Sequence, residues 1–99
     1  MEEQYASGNW VVVAGRETEF VERWTDFLRW TRESAPGLIT ARLIQDASDQ
    51  RHFVSFANWE SEQALESWRA QPDFAAKLGA CRALCEEFRG GNYMLAAAV

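Results

Sequence analysis

The sequence predicts an α+β fold of the ferredoxin-like, split βαβ kind, with helices on one side of a four-stranded antiparallel sheet. Two observations carry that expectation. Short strand-like runs and helical periodicities follow one another in the order β-α-β-β-α(α)-β, and a hairpin sits at the centre. One hairpin strand also bears apolar residues on both of its faces.

Residues 1–8 read as a flexible, acidic lead, and 9–99 as a single domain. Asn9 to Val13 is a β-branched run that predicts the first strand, punctuated by Gly15. Phe20, Val21, Trp24, Phe27, Leu28 and Thr31 then recur at the spacing of one helical stripe, with charged residues opposite. Ala35-Pro36-Gly37 ends that helix, because Pro disfavours helix in its predecessor and Gly permits a tight turn. Leu38 to Asp46 and Arg51 to Trp59 read as the two hairpin strands. Ser61 is a good N-cap for a helix carrying Ala64, Leu65 and Trp68, which Gln71-Pro72 interrupts. The pattern predicts helix again from Phe74 to Phe88, with Leu78, Cys81, Leu84, Cys85 and Phe88 on one stripe. Gly90-Gly91 stops it, and Tyr93 to Val99 reads as the last strand.

Composition narrows the function. A chain of 99 residues has room for one core only. Net charge is −5 with no cluster of Lys and Arg, which argues against nucleic acid as a partner. No apolar run approaches the roughly 18 residues of a membrane span, and the start is acidic where a signal peptide is basic. A cytoplasmic protein is expected. The 13% aromatic share, with five tryptophans, exceeds what a small core needs and suggests a ligand pocket or a subunit interface. Cys81 and Cys85, four apart on the expected helix, read as buried small hydrophobes; no metal site is expected. One helical layer covers one face of a sheet, so strands apolar on both faces point to a homodimer.

Ser-Ala-Pro-Gly-Leu at 34–38, the hairpin, Asn58-Trp-Glu-Ser-Glu-Gln-Ala64 and Trp68 resemble the antibiotic biosynthesis monooxygenase superfamily. The likeness spans about residues 9–98, and Trp59-Glu60-Ser61 at a strand-to-helix junction is its most specific part. It implies a dimeric α/β barrel. One branch oxidises aromatic polyketide phenols or anthrones with dioxygen and no bound cofactor; its tryptophan corresponds to Trp59. The Asn four residues earlier and the Tyr six later, often invoked there, correspond here to Ser55 and Leu65. The Arg expected further on has only Arg82 nearby. A haem-degrading branch is matched by Asn9 and Trp68, while its iron-ligating His falls near Lys77 or Leu78.

The resemblance therefore implies Asn9, Trp59 and Trp68 as catalytic candidates, and Trp24, Phe27, Ser55, Leu65 and Lys77 as substrate-binding ones. A mostly apolar cavity is expected between sheet and helices, bordered by Asn9, Trp24, Trp59 and Trp68. Each has a plainer reading: Trp59 and Trp68 as core, Asn9 as an interface amide, Lys77 as a cation reaching water. His52 reads as a solvated surface residue. The expected function is cofactor-independent oxygenation of an aromatic or polyketide-like molecule. The alternatives are haem binding or degradation, and a dimeric binder of a small hydrophobic ligand without catalysis.

Overall fold

A computed structural model describes residues 3–99. Its elements are β1 (Gln4–Val12), α1 (Glu17–Ser34), β2 (Leu38–Asp46), β3 (Asp49–Trp59), α2 (Glu62–Arg69), α3 (Phe74–Arg82) and β4 (Cys85–Met94). The strands form one antiparallel sheet in the order β2-β3-β1-β4, so the first strand sits inside it. The expected ferredoxin-like α+β fold is the one observed.

Strand periodicity sorts the sheet into two faces. Trp10, Val12, Phe53, Ser55 and Trp59 are buried, and the aromatic ones pack under α1 and α2. Trp10 lies 5.3 Å from Phe20 of α1 between ring centroids, and Trp59 lies 4.8 Å from Trp68 of α2. The α1 stripe buries Phe20, Trp24, Phe27 and Thr31, as its spacing predicts, but Val21, expected on the same stripe, is exposed because it lies at the stripe's edge. Ser61 caps α2, its side chain accepting from the Ala64 N–H at 3.1 Å.

The turn after α1 is held tightly. Gly37 has φ +99°, a conformation that favours glycine, and a Cβ there would lie 2.6 Å from the Ala64 Cβ. Its carbonyl accepts from the Glu60 N–H at 2.8 Å, which ties the start of β2 to the end of β3.

Three expectations are corrected. The first strand begins at Gln4, so residues 4–8 of the supposed lead lie in the sheet. Their small and polar side chains hide the strand, but β1 is flanked on both sides: Tyr5 faces Asn58 and Tyr93. Helix α3 ends at Arg82, and Cys85 opens β4, which carries Phe88, Gly90 and Gly91. The last strand is thus Cys85–Met94 and not Tyr93–Val99. Cys81 and Cys85 accordingly sit on different elements, although the Cys85 thiol still reaches the Cys81 carbonyl at 3.5 Å.

Candidate active site

Between the sheet and the helices lies a cavity of about 420 Å3. Its floor comes from β1, β3 and β4 through Gly8, Ser55, Ala57 and Gly90. Its walls are aromatic, with Trp24 and Phe27 from α1, Trp59 at the end of β3, Trp68 from α2 and Phe74 from α3. Phe27 stacks on Trp68 at 5.6 Å, and Phe74 meets the same indole edge-on at 4.7 Å. Such a wall suits a flat aromatic guest.

Polar groups interrupt this wall at few points, and most are already paired. Trp10 Nε1 donates to Ser55 Oγ at 3.0 Å, deep in the core. Trp68 Nε1 donates to Thr31 Oγ1 at 3.0 Å, and that hydroxyl donates to the Phe27 carbonyl at 2.8 Å. Thr31 is therefore fully engaged. Ser55 accepts one bond, and its own O–H has no acceptor among the described residues. Trp59 Nε1 is different again: it is buried and has no partner among the described residues. An unpartnered buried N–H costs free energy, and buried donors are usually matched.

Of the candidates from the sequence, Trp24, Phe27, Ser55, Trp59 and Trp68 meet around this cavity. Asn9 does not. It alternates with Trp10 and projects from the other sheet face, exposed, with its Oδ1 3.0 Å from His52 Nε2. Leu65 is 2% exposed within the core and contributes nothing to the lining. The Lys77 ammonium lies 5.9 Å above the Trp30 ring, outside the cavity. His52 is more than a solvated side chain, since its Nδ1 also contacts Asp46 Oδ2 at 3.0 Å. That contact holds the Asp46 carboxyl below the usual carboxylate range.

Several lining residues escaped the sequence reading, Trp10, Phe74, Phe88 and Arg69 among them. Phe88 was hidden by the misplaced helix. Arg69 sits four residues after buried Leu65, hence on the same face of α2, and that spacing is the signal that could have found it.

The donor set does not fit haem. Among the described residues, no His, Cys, Asp, Glu or Lys lines the cavity, so no side chain there has the lone pair or thiolate that usually ligates the iron. Among the described residues, no three metal-ligating side chains cluster anywhere else.

Residues 6–77 match the family model described as antibiotic biosynthesis monooxygenase, and the chain belongs to that family. No curated protein matches it by sequence. Among solved structures, SnoaB of Streptomyces nogalater, a cofactor-independent oxygenase, superposes with a TM-score of 0.90 at 21% identity. That match covers 100% of this chain and 98% of SnoaB. A structure described as an antibiotic biosynthesis monooxygenase gives 0.77 at 18% identity, covering 97% and 99%. A conserved protein of Methanosarcina mazei gives 0.83 at 15%, covering 94% and 92%. At such identities the likeness establishes the fold; monooxygenase-type function is supported at the level of the family.

Proposed function

We propose that this protein is a cofactor-independent monooxygenase that oxidises a flat aromatic, polyketide-like substrate with dioxygen, acting as a homodimer. The observation that carries the reading is the aromatic cavity whose wall residue Trp59 holds a buried, unpartnered N–H. A substrate oxygen that becomes an oxyanion supplies the missing acceptor, and a donor already in place stabilises that charge. The likeness to SnoaB, a cofactor-independent oxygenase, is in accord with this chemistry.

The described lining offers no carboxylate, imidazole or amine to act as a general base. The work of the protein is therefore to bind the ring, stabilise its deprotonated form and exclude bulk water. An anthrone enolate is itself electron-rich enough to reduce dioxygen. The methylene carbon loses two C–H bonds and becomes a carbonyl; one oxygen atom enters that carbonyl and the other leaves as water. Four electrons leave the carbon and four reduce dioxygen, so no outside reductant is needed. The Ser55 O–H, free of any acceptor among the described residues, is a second donor within the same walls.

The test is turnover of a hydroxylated anthrone by metal-stripped protein under labelled dioxygen. One dioxygen consumed per quinone, at a rate well above that with heat-denatured protein, is expected. Trp59→Phe is expected to slow the reaction at least about tenfold, in line with the loss of an oxyanion donor. A rate equal to the denatured control would overturn the proposal.

A further inference from the structure

Among the described residues, Arg69 is the one charged residue that lines the cavity. It ends α2 directly after Trp68, whose ring lies 4.8 Å from that of Trp59, so the cation and the aromatic wall belong to one helical turn. No carboxylate or carbonyl oxygen among the described residues engages its guanidinium. The other arginines of this face and its edges are occupied. Arg16, Arg23, Arg29 and Arg51 meet carboxylates. Arg32 donates to the Leu38 carbonyl at 3.0 Å, and Arg82 lies 5.2 Å from the Phe88 ring centre. Arg42 and Arg89 stand opposite Phe56 and Asn9 in the register, on the far face of the sheet.

We propose that Arg69 is the anion-recognising residue of the cavity, and that the aromatic substrate carries a carboxylate or comparable oxyanion held against its guanidinium. The inference rests on the cavity being an aromatic site. A planar fork of N–H donors matches a carboxylate in two parallel bonds, and such charge-assisted bonds are the stronger kind. The surroundings are apolar, so little else competes for the charge. Burial already holds the Arg69 pKa below its ordinary value, a desolvation that no partner within the described chain offsets. An anionic guest supplies that partner. It also fixes which end of a flat molecule lies near α2, an orientation that stacking alone leaves free.

The experiment compares two ligands of one shape, anthracene-9-carboxylate and anthracene-9-carboxamide, titrated into the full-length protein at pH 7. Binding is read from quenching of the tryptophan emission. The acid is expected to bind about tenfold more tightly than the amide. Arg69→Gln removes that preference and leaves the amide affinity within about twofold, while Arg69→Lys retains part of it. Near-UV circular dichroism verifies that each variant keeps the native packing. Equal affinity for acid and amide in the unmodified protein overturns the proposal, as does a preference that survives Arg69→Gln; in both cases the aromatic site stands. Failure of both ligands to bind rejects the aromatic site and this inference with it.

Discussion

Three of the four buried indoles around the cavity differ in what their N–H groups meet. Those of Trp10 and Trp68 are paired, whereas that of Trp59 is orphaned among the described residues. Substitution therefore acts in opposite directions. Ser55→Ala deletes the acceptor and leaves the Trp10 N–H buried and unmatched, at a cost of about 1–3 kcal/mol. Trp59→Phe shrinks a packed ring, which costs a comparable amount, but it also removes the orphan donor. The two terms nearly cancel. Unfolding free energies from urea titration are expected to fall clearly for Ser55→Ala and to move by less than about 1 kcal/mol for Trp59→Phe. A large loss of stability in the second variant would show that Trp59 is core first and site second.

The thiols make a separate residue-scale case. Burial pushes Cys81 up to about 12 and Cys85 up to about 11, from an ordinary value near 9. A raised folded pKa means that the stability is complete below pH 9 and is lost as pH climbs towards the folded values. Above pH 9 the unfolded chain releases thiol protons that the folded chain keeps, each group costing up to about 1.4 kcal/mol per pH unit. Between pH 8 and pH 10.5 the urea midpoint is expected to drop, and to drop less in Cys81→Val. An equal drop in both proteins would assign the alkaline loss to other groups. Iodoacetamide at pH 8 is expected to leave Cys81 unmodified until the chain unfolds.

At the scale of elements, most of the fold was legible because apolar spacing and punctuation agree. Helix α1 and strand β2 have the bounds that the Phe20 stripe and Pro36-Gly37 imply. The C-terminal third was not legible, for a physical reason. Cys81, Leu84, Cys85 and Phe88 satisfy a helical stripe, yet Leu84 and Cys85 begin the run into β4. A short apolar segment cannot be assigned by periodicity alone, and glycines usually mark a stop. Here they serve the strand: a Cβ on Gly90 would lie 2.9 Å from the Phe88 ring, and one on Gly8, opposite it, 3.0 Å. Glycine gives that ring room to lie across the sheet. Gly37 is the second constrained position. With φ +99° and Ala64 in the way, Gly37→Ala combines backbone strain with a collision between turn and helix. A loss of about 2 kcal/mol or more is expected in urea unfolding, against a gain of up to about 1 kcal/mol for Gly79→Ala, inside α3, where nothing crowds the new methyl.

The candidate site was half legible by the same logic. Aromatic residues on helix stripes point to the core, and Trp24, Phe27 and Trp68 do so. Asn9 was misplaced although its neighbour decides its face: a strand that buries Trp10 turns Asn9 outward. Arg69 was passed over, although its spacing from Leu65 places it on the buried face of α2.

The whole molecule has one sheet face without a cover. Ile44 is 51% exposed and Tyr93 57%, while Val54 and Phe56 are half-buried between them. Their register positions alternate with the core residues, so they lie opposite the helices. An apolar face of this kind on a small chain invites a second copy, the arrangement that strands apolar on both faces suggested at the outset. Of the polar residues on that face, Asn9, His52 and Asp46 contact one another, whereas Arg42 and Arg89 need water or a partner's acceptor at an interface. Sedimentation equilibrium at micromolar concentration is expected to give twice the 11.3 kDa of the chain. Ile44→Asp places a charge on the apolar strip, where burial against a second copy without a partner costs several kcal/mol. That variant is expected to shift towards monomer and to lose thermal stability with dilution, while Val21→Asp, on the exposed back of α1, does neither. A folded 11.3 kDa monomer that keeps the anthracene cavity intact would show that this face serves some purpose other than self-association.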